Sequence, residues 1–183
     1  DNLQKWEKDW LMSFHPDKCQ TLRVTNKRNI INAEYYIHGQ KLEIVDSAKY
    51  LGVNLHSKLS WSPHITTTAL KADHTRAFLQ RNVRSCPKSV RAQCYTTLVR
   101  PILEYSSTVW DPHLQKDTDT LEKVQRRCAR FVNQDFSRES SVTRMMNQLN
   151  WDSLAERRAK AKIIMLYRGI NGLLSIPMDQ LRP

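Results

Sequence analysis

The sequence lacks most of the short motifs that mark a complete active site. Its four glycines form no phosphate-binding loop, and it contains no GxSxG, no HExxH and no close pair of carboxylates beside a strand end. The histidines have no repeated ligand spacing, so we interpret each as a surface or turn residue; they are His15, His38, His56, His64, His74 and His113. We expect the chain to bind no metal or cofactor by itself.

Cysteine pairs and long apolar runs are also missing. The four cysteines, Cys19, Cys86, Cys94 and Cys128, show no CxxC pair and no histidine at zinc-finger spacing. No apolar run approaches the roughly 20 residues that a membrane-spanning helix needs, and no secretory signal precedes Trp6. We therefore expect reduced thiols, an intracellular location and no membrane partner. The helix-like pattern already present at Asp1 indicates an excerpt of a longer polypeptide.

Positive charge is abundant and unevenly distributed. The 183 residues include 29 Lys and Arg but 18 Asp and Glu. Residues 1–60 have a net charge of +2, from nine basic and seven acidic side chains, whereas residues 61–183 have +9, from twenty and eleven. This balance favours a polyanionic partner that contacts mainly the second part.

Short strands are predicted in the first 60 residues. The expected elements are a helix over 1–11, a strand over 21–25, a hairpin over 37–42 and a strand over 48–55. The hairpin follows from the turn at Gly39. In the last strand, alternation places Leu51, Val53 and Leu55 on one face.

Helices are predicted after residue 61. They begin at Ser62, Lys88, about Thr118, Val142 and Asp152. Pro101 should kink or divide the second helix, and Asp111-Pro112 should stop a helix. Asn171-Gly172 should end the last helix, before a tail from Pro177 to which no structure is assigned. The expected buried stripes are Ile65, Ala69, Ala72 and Leu79; Val90, Cys94, Leu98 and Ile102; Leu121, Val124, Cys128 and Val132; and Ala155, Ala159, Ile163, Leu166 and Ile170. Arg157, Lys160 and Arg168 should face mostly away from the last stripe.

The third of these helices carries a basic ridge opposite its apolar face. Its members are Lys123, Arg126, Arg127 and Arg130, with Lys116 in line, and further basic residues recur at Arg81, Arg84, Lys88 and Arg91. Acidic side chains that could neutralise the ridge, such as Glu122, lie mostly off it. The pattern is compatible with a solvated helix face or with phosphate binding, and the missing neutralisation favours phosphate binding.

Several strings of residues, in a fixed order, resemble one family. The first group is Trp10, Met12 and Phe14, then Pro16-Asp17-Lys18-Cys19, Tyr50-Leu51-Gly52-Val53 and Trp61-Ser62-Pro63-His64-Ile65. The second is Leu98-Val99-Arg100-Pro101-Ile102-Leu103-Glu104-Tyr105, Val109-Trp110-Asp111-Pro112, Leu121-Glu122 with Val124-Gln125-Arg126-Arg127, Leu149 with Trp151, and Arg157-Arg158. Together they resemble the later palm and the thumb of reverse transcriptases of non-LTR retrotransposons, the LINE, jockey and CR1-like group.

The resemblance implies an α+β fold: a small antiparallel palm remnant over about 1–60, then an all-α helical thumb bundle over 61–183. It implies that Lys18 corresponds to the basic residue of motif D, near the incoming nucleotide. Tyr50, Leu51 and Gly52 correspond to the primer grip of motif E. The helices after Trp61 correspond to the thumb, whose partner is an RNA/DNA template–primer duplex. His15 stands where the family has asparagine.

The resemblance also implies that the catalytic aspartates, which hold two Mg²⁺ ions in the parent enzyme, belong to earlier segments. We expect the chain alone not to polymerise DNA. Its other partners should be the missing fingers and palm, and the exposed palm surface should favour self-association. The alternative is a domesticated or relic helical module that binds proteins and has no nucleic-acid function.

Overall fold

The computed structural model describes residues 2–29 and 31–175, and the predicted tail from Pro177 lies outside them. The chain divides into two compact units, residues 1–61 and 62–183. Within the described residues the first unit contains every strand and the second contains only helices. The α+β class is therefore confirmed.

The first unit consists of short elements. They are α1 (Asn2–Trp10), a 3-10 turn (Pro16–Lys18), β1 (Gln20–Leu22), β2 (Tyr36–Ile37), β3 (Gln40–Lys41), β4 (Glu43–Val45), β5 (Ser47–Tyr50) and β6 (Val53–His56). The pairs β2–β3 and β5–β6 are antiparallel, as expected, whereas β1 and β4 are parallel. Among the described residues of this unit, Val53, at 6% exposure, is the one buried apolar side chain, while Trp10 is 67% exposed.

Both hairpins turn through left-handed backbone. At the predicted hairpin, His38 and Gly39 have φ values of 51° and 76°, which match the two central residues of a type I′ turn. The single strand predicted over 48–55 is wrong, because Leu51 and Gly52, with φ values of 45° and 85°, form a second turn. Leu51 is consequently exposed at the tip and does not share a face with Val53.

The second unit is helical. Its elements are α2 (Ser62–Asn82), α3 (Lys88–Cys94), a π-helical turn (Tyr95–Val99), α4 (Arg100–Glu104), α5 (Ser107–Trp110), α6 (Gln115–Asn133), α7 (Val142–Gln148) and α8 (Leu154–Ile170). The wide π turn ends at Val99, two residues before Pro101, which has no N–H to donate, so the predicted division of this helix is confirmed. The predicted stop at Asp111 is confirmed as well.

The N-cap of α8 differs from the prediction by one residue. Ser153, not Asp152, accepts a hydrogen bond from the backbone N–H of Glu156, and the Glu156 carboxylate accepts one from the Ser153 backbone N–H in return. This reciprocal capping box fixes the start of α8. The predicted end at Asn171-Gly172 is confirmed, with Gly172 at φ 67°.

The core of the second unit lies between α2, α6 and the helices packed around them. The stripes predicted for α2 and α6 are buried, as expected. His64 is also buried, with its ring edge-on to Trp110 at 5.1 Å between centroids, so its interpretation as a surface or turn residue is wrong. The buried faces of α2 and α6 also include the polar residues Thr68, Asp117 and Gln125.

The buried line of α3 and α4 is displaced by one position from the prediction. The buried residues are Arg91, Tyr95, Val99 and Leu103, whereas the predicted Val90 and Leu98 are exposed. Arg91 is buried because its guanidinium donates hydrogen bonds to the backbone carbonyl of Val132. A pattern of apolar residues does not predict a buried arginine, so the predicted line was wrong by one position.

The stripe predicted to be buried on α8 points to solvent. Ala155, Ala159, Ile163, Leu166 and Ile170 are all exposed. The opposite side of the helix is buried instead, through Leu154 and Arg158. Ion pairs made by arginines, described below, hold that side against the rest of the unit.

Candidate nucleic-acid interface

The interface is built on two neighbouring helices, α2 and α6, that run parallel. The Ser62 hydroxyl, at the start of α2, donates to Asp117 near the start of α6 over 2.6 Å. Eleven residues further along α2, Asp73 accepts a hydrogen bond from Arg127 Nη1 over 3.1 Å. At the far end, the amide of Gln134 donates to the backbone carbonyl of Arg84. These contacts fix the register of the two helices.

The basic side chains of α6 lie opposite its buried face. Lys123, Arg126 and Arg127 are exposed, and Arg130 is half-buried. The separation follows from helical spacing, because residues such as Leu121 and Val124 occupy the inward side. The structure therefore places a row of cations along the outside of α6.

Two of these cations already have partners in the chain. The Arg127 side chain is 57% exposed and pairs with Asp73. The Arg130 guanidinium donates to the carbonyl of Ser137 over 2.6 Å and thereby holds the loop after α6. Asp73 belongs to a different helix, so residue spacing within α6 does not reveal it as a counter-charge.

The pKa of the Asp73 carboxyl is lowered, which favours its charged form. Partial burial by itself raises the pKa of this carboxyl, but hydrogen bonds and positive charge from Arg76 and Arg127 outweigh the burial, so the pKa lies below its ordinary value. Asp73 is therefore ionised at neutral pH and lowers the positive potential around Arg127.

A groove of about 800 Å³ borders one side of the row, between α6, α7 and the start of α8. Lys123 and Arg126 line it, but so do four carboxylates, those of Asp119, Glu122, Asp152 and Glu156. The groove is thus electrically mixed.

The other predicted basic residues divide into exposed and structural ones. Arg81, Arg84 and Lys88 are exposed beyond or near the C-terminal end of α2. Arg91 is buried, and its Nε and Nη2 donate to the Val132 carbonyl over 3.1 and 2.8 Å. Arg91 therefore satisfies a carbonyl in the last turn of α6 and is not available to a ligand.

The predicted site residues of the first unit are exposed. Lys18 ends the 3-10 turn, and Tyr50 and Leu51 are 66% and 73% exposed at the hairpin turn that includes Gly52. In residues 2–29 and 31–175, no group of three or more His, Cys, Asp and Glu side chains could hold a metal ion. Among the helices that the structure describes, none is both long and apolar enough to span a bilayer.

Several residues of the family-like strings form a scaffold that attaches α8. Arg158, 2% exposed, donates from Nε to Asp111 Oδ1 over 2.8 Å. Arg157 donates from Nη2 to Glu104 Oε2 over 3.0 Å. Partial burial raises the pKa of the Asp111 carboxyl, but Lys162 and Arg158 lower it further, so the net pKa lies below the ordinary value.

Two more residues of these strings contact the segment that begins α8. The Gln125 amide donates to the Asp152 carbonyl over 2.8 Å, and Glu122 accepts a hydrogen bond from the backbone N–H of Ala155 over 2.9 Å. Glu122 is thus engaged at the first turn of α8, where an anion is favourable. Neither role can be predicted from the sequence, because partners about 30 positions apart leave no periodic signal.

In sequence, the chain is distantly related to RNA-directed DNA polymerases encoded by transposons. It is 26% identical over 138 residues, 71% of its length, to the Drosophila melanogaster protein named "Probable RNA-directed DNA polymerase from transposon BS". It is 26% identical over 133 residues to the corresponding D. melanogaster protein from transposon X-element. The chain spans about 15% of the length of these relatives. No protein-family model matches it, and no solved structure matches it.

Proposed function

We propose that this chain is a palm and thumb portion of a reverse transcriptase of the non-LTR retrotransposon type, and that its second unit binds a template–primer duplex. The observation that carries the proposal is the exposed row of cations on α6 in a chain whose relatives are named as RNA-directed DNA polymerases. The helical unit then has the role of the thumb.

The composition of α6 favours contact with phosphates over contact with bases. Its exposed cations Lys123, Arg126 and Arg127 offer charge-assisted hydrogen bonds to phosphate oxygens. No aromatic side chain is exposed on α6 to stack on an unpaired base; its one aromatic residue, Phe131, is buried. Binding should therefore be insensitive to sequence and sensitive to salt.

The first unit would supply the primer grip. The hairpin turn at Leu51-Gly52 presents Tyr50 and Leu51 to solvent on a two-stranded support, a geometry suited to holding the end of a strand. Gly52 at φ 85° permits the tight turn. Lys18, exposed after Pro16, would serve as the motif D-like residue.

The chain alone is proposed not to polymerise DNA. The resemblance assigns the metal-binding aspartates to other segments, and no carboxylate cluster in the described residues replaces them. Its contribution would be to hold and orient the duplex while the reaction proceeds on residues elsewhere in the longer polypeptide.

The test is a comparison of two triple variants that remove the same charge. Replacing Lys123, Arg126 and Arg127 by Gln should weaken binding of an RNA–DNA hybrid at least tenfold at 50 mM salt, measured by fluorescence anisotropy. It should also reduce the slope of log K against log salt by up to about 2.7, at about 0.9 for each phosphate contact in a B-form duplex. Unchanged affinity would exclude the row from the interface.

The matched control replaces Arg138, Arg144 and Arg168 by Gln, since these exposed cations lie outside α2 and α6. Its affinity should fall less than threefold. An equal loss in both variants would show that only net charge matters.

A second function, a helical protein-interaction module, is favoured by one observation. Arg127 and Arg130 have intramolecular partners, and the neighbouring groove carries four carboxylates, so the cations of α6 are partly neutralised. Under this alternative the row is only solvated. Absence of hybrid or duplex binding at about 50 mM salt, where electrostatic binding is strong, would support it.

A further inference from the structure

Glu7 is the one buried charged side chain among the described residues of the first unit. It lies on α1 and is 7% exposed. Its Oε1 accepts a hydrogen bond from the backbone N–H of Phe14 and another from His38 Nε2 over 3.0 Å. An ionised carboxylate can only accept, so the His38 ring carries a proton on Nε2. A buried carboxylate is costly without donors, so these two contacts keep Glu7 in place.

The two donors belong to different segments of the chain. Phe14 lies in the link, residues 11–15, that connects α1 to the 3-10 turn. His38 lies at the tip of the β2–β3 hairpin. The ring of Phe14 also stacks on Trp6 of α1, with 5.5 Å between the ring centroids. Glu7 therefore joins both the link and the hairpin to α1.

The hairpin makes a second contact, with the 3-10 turn that ends at Lys18. The Gln40 amide donates to Asp17 Oδ1 over 2.8 Å. Inside the turn, the backbone N–H of Lys18 donates to the His15 carbonyl over 3.0 Å. The backbone of Lys18 is thus held, while its side chain is exposed.

Apolar burial contributes little to holding the link. Leu11 and Met12 are 95% and 58% exposed, and Phe14 is half-buried. The hydrophobic effect stabilises a segment in proportion to the apolar area that it removes from water. The position of the link, and of the turn that follows it, therefore depends mainly on hydrogen bonds.

Of the two polar contacts, the one at Glu7 is the stronger. Asp17 is exposed, so water competes for its contact with Gln40. The hydrogen bond from Phe14, aided by His38, outweighs the effect of burial and holds the pKa of the Glu7 carboxyl below its ordinary value, so Glu7 is ionised at neutral pH. Hydrogen bonds to a charged group that is shielded from water are stronger than those to a neutral or hydrated group.

We infer that Glu7 is a positioning residue, which together with His38 fixes the turn that carries Lys18 against α1 and the β2–β3 hairpin. The role of Lys18 toward a nucleotide rests on the proposed function, whereas the contacts that position it do not. A cation on a fixed backbone binds phosphate at a lower entropic cost than one on a moving segment. Glu7 thereby preorganises Lys18 for the phosphates of an incoming nucleotide.

Backbone ¹⁵N order parameters of the full chain, read by NMR at residues 17–19, test this inference. In the wild type they should be near 0.85, the value of rigid backbone. Glu7→Ala should lower them below about 0.6, because the link and the hairpin lose their common acceptor. Glu7→Gln should keep them near the wild-type value, since the amide oxygen still accepts from Phe14.

The matched control is Asp9→Ala, which removes an exposed acid from the same helix and should leave the order parameters unchanged. The double variant Glu7→Ala, His38→Ala should loosen the turn no more than Glu7→Ala alone, because both residues act through one carboxylate. Residues 53–56 of β6 should stay ordered in every variant. Binding of an RNA–DNA hybrid through α6 should also stay unchanged, so the proposed function and this inference can fail separately.

Four outcomes would overturn the inference. The first is an unchanged order parameter at residues 17–19 in Glu7→Ala, and the second is an equal loss in Asp9→Ala. The third is a Glu7→Gln variant as mobile as Glu7→Ala, which would show that the hydrogen bonds do not hold the turn. The fourth is a loss of order that extends through residues 53–56, which would show that Glu7 supports the whole unit and not the turn in particular.

Discussion

The guanidinium of Arg158 is buried and lies 2.8 Å from the carboxylate of Asp111, which is 25% exposed. The two residues are 47 positions apart, and their contact attaches α8 to the end of α5. One further nitrogen of Arg158, Nη1, is buried without a hydrogen-bond partner among the residues that the structure describes. The ion pair with Asp111 is thus the main compensation for burying this charge.

Replacing Asp111 by Ala should destabilise the second unit. The change leaves the Arg158 guanidinium buried without a counter-charge, and breaking such pairs costs about 3–5 kcal/mol, with a lower value expected because Asp111 is partly exposed. Urea denaturation followed by circular dichroism measures the free energy of unfolding. Lys162→Ala, which removes the exposed partner of Asp111, should cost about 1 kcal/mol or less; equal losses in both variants would contradict this assignment.

Stability should fall between pH 7 and pH 5 because of His64. Burial lowers the pKa of His64 in the folded chain, so the unfolded chain binds a proton first as the pH falls below about 6.5. The stabilising contribution of the neutral ring is therefore present above pH 6.5 and is lost as the pH falls toward the folded-state pKa.

Urea midpoints at pH 7.5 and 5.5 measure this effect. His64→Gln should have a smaller difference between the two pH values than the wild type. His74→Gln, at an exposed position of the same helix, should retain the wild-type difference. A wild-type difference that persists in His64→Gln would assign the pH dependence to another group.

Replacing Gly52 by Ala should destabilise the β5–β6 hairpin by roughly 1–2 kcal/mol, because left-handed backbone is unfavourable for residues with a Cβ. Amide hydrogen exchange over residues 47–56 should accelerate, while exchange in α6 stays unchanged. A matched change, Leu51→Asn, should slow exchange, because asparagine tolerates the φ of 45° better than leucine does. Unaltered exchange in both variants would contradict the turn geometry.

Removing the counter-charge of Arg127 should strengthen duplex binding. Asp73→Asn takes away the carboxylate that Arg127 contacts at 3.1 Å, so affinity for an RNA–DNA hybrid should rise severalfold. The salt slope should stay near the wild-type value, because Arg127 is already among the three expected phosphate contacts. Glu139→Gln, which removes an exposed acid outside the two helices, is the control. Equal effects of the two changes would show that Asp73 has no specific role.

Local signals in the sequence were sufficient for many elements. The hydroxyl and proline at Ser62-Pro63 and the apolar spacing of α2 and α6 predicted two buried helix faces correctly. Gly39 predicted the first hairpin turn. These features depend on neighbours within a few positions, which is the range over which capping, periodicity and turn preference act.

Tertiary pairings were beyond such signals. Arg91 is buried because it donates to the backbone carbonyl of Val132, and Arg158 is buried because it pairs with the carboxylate of Asp111. Both partners lie far away in the sequence. A periodic pattern assigns arginine to the surface. The buried line predicted for α3 was therefore wrong by one position, and the side of α8 predicted to be buried is the exposed one. For the candidate interface, spacing predicted the row on α6 but not Asp73, which partly neutralises it.

The most direct measurement is the binding of the wild-type chain to an RNA–DNA hybrid duplex across a salt series from 50 to 300 mM. Binding through Lys123, Arg126 and Arg127 predicts a measurable affinity at 50 mM that falls linearly on a log–log plot, with a slope near −3 for about three contacts. No binding at 50 mM, or an affinity that does not change with salt, would contradict the proposed nucleic-acid function.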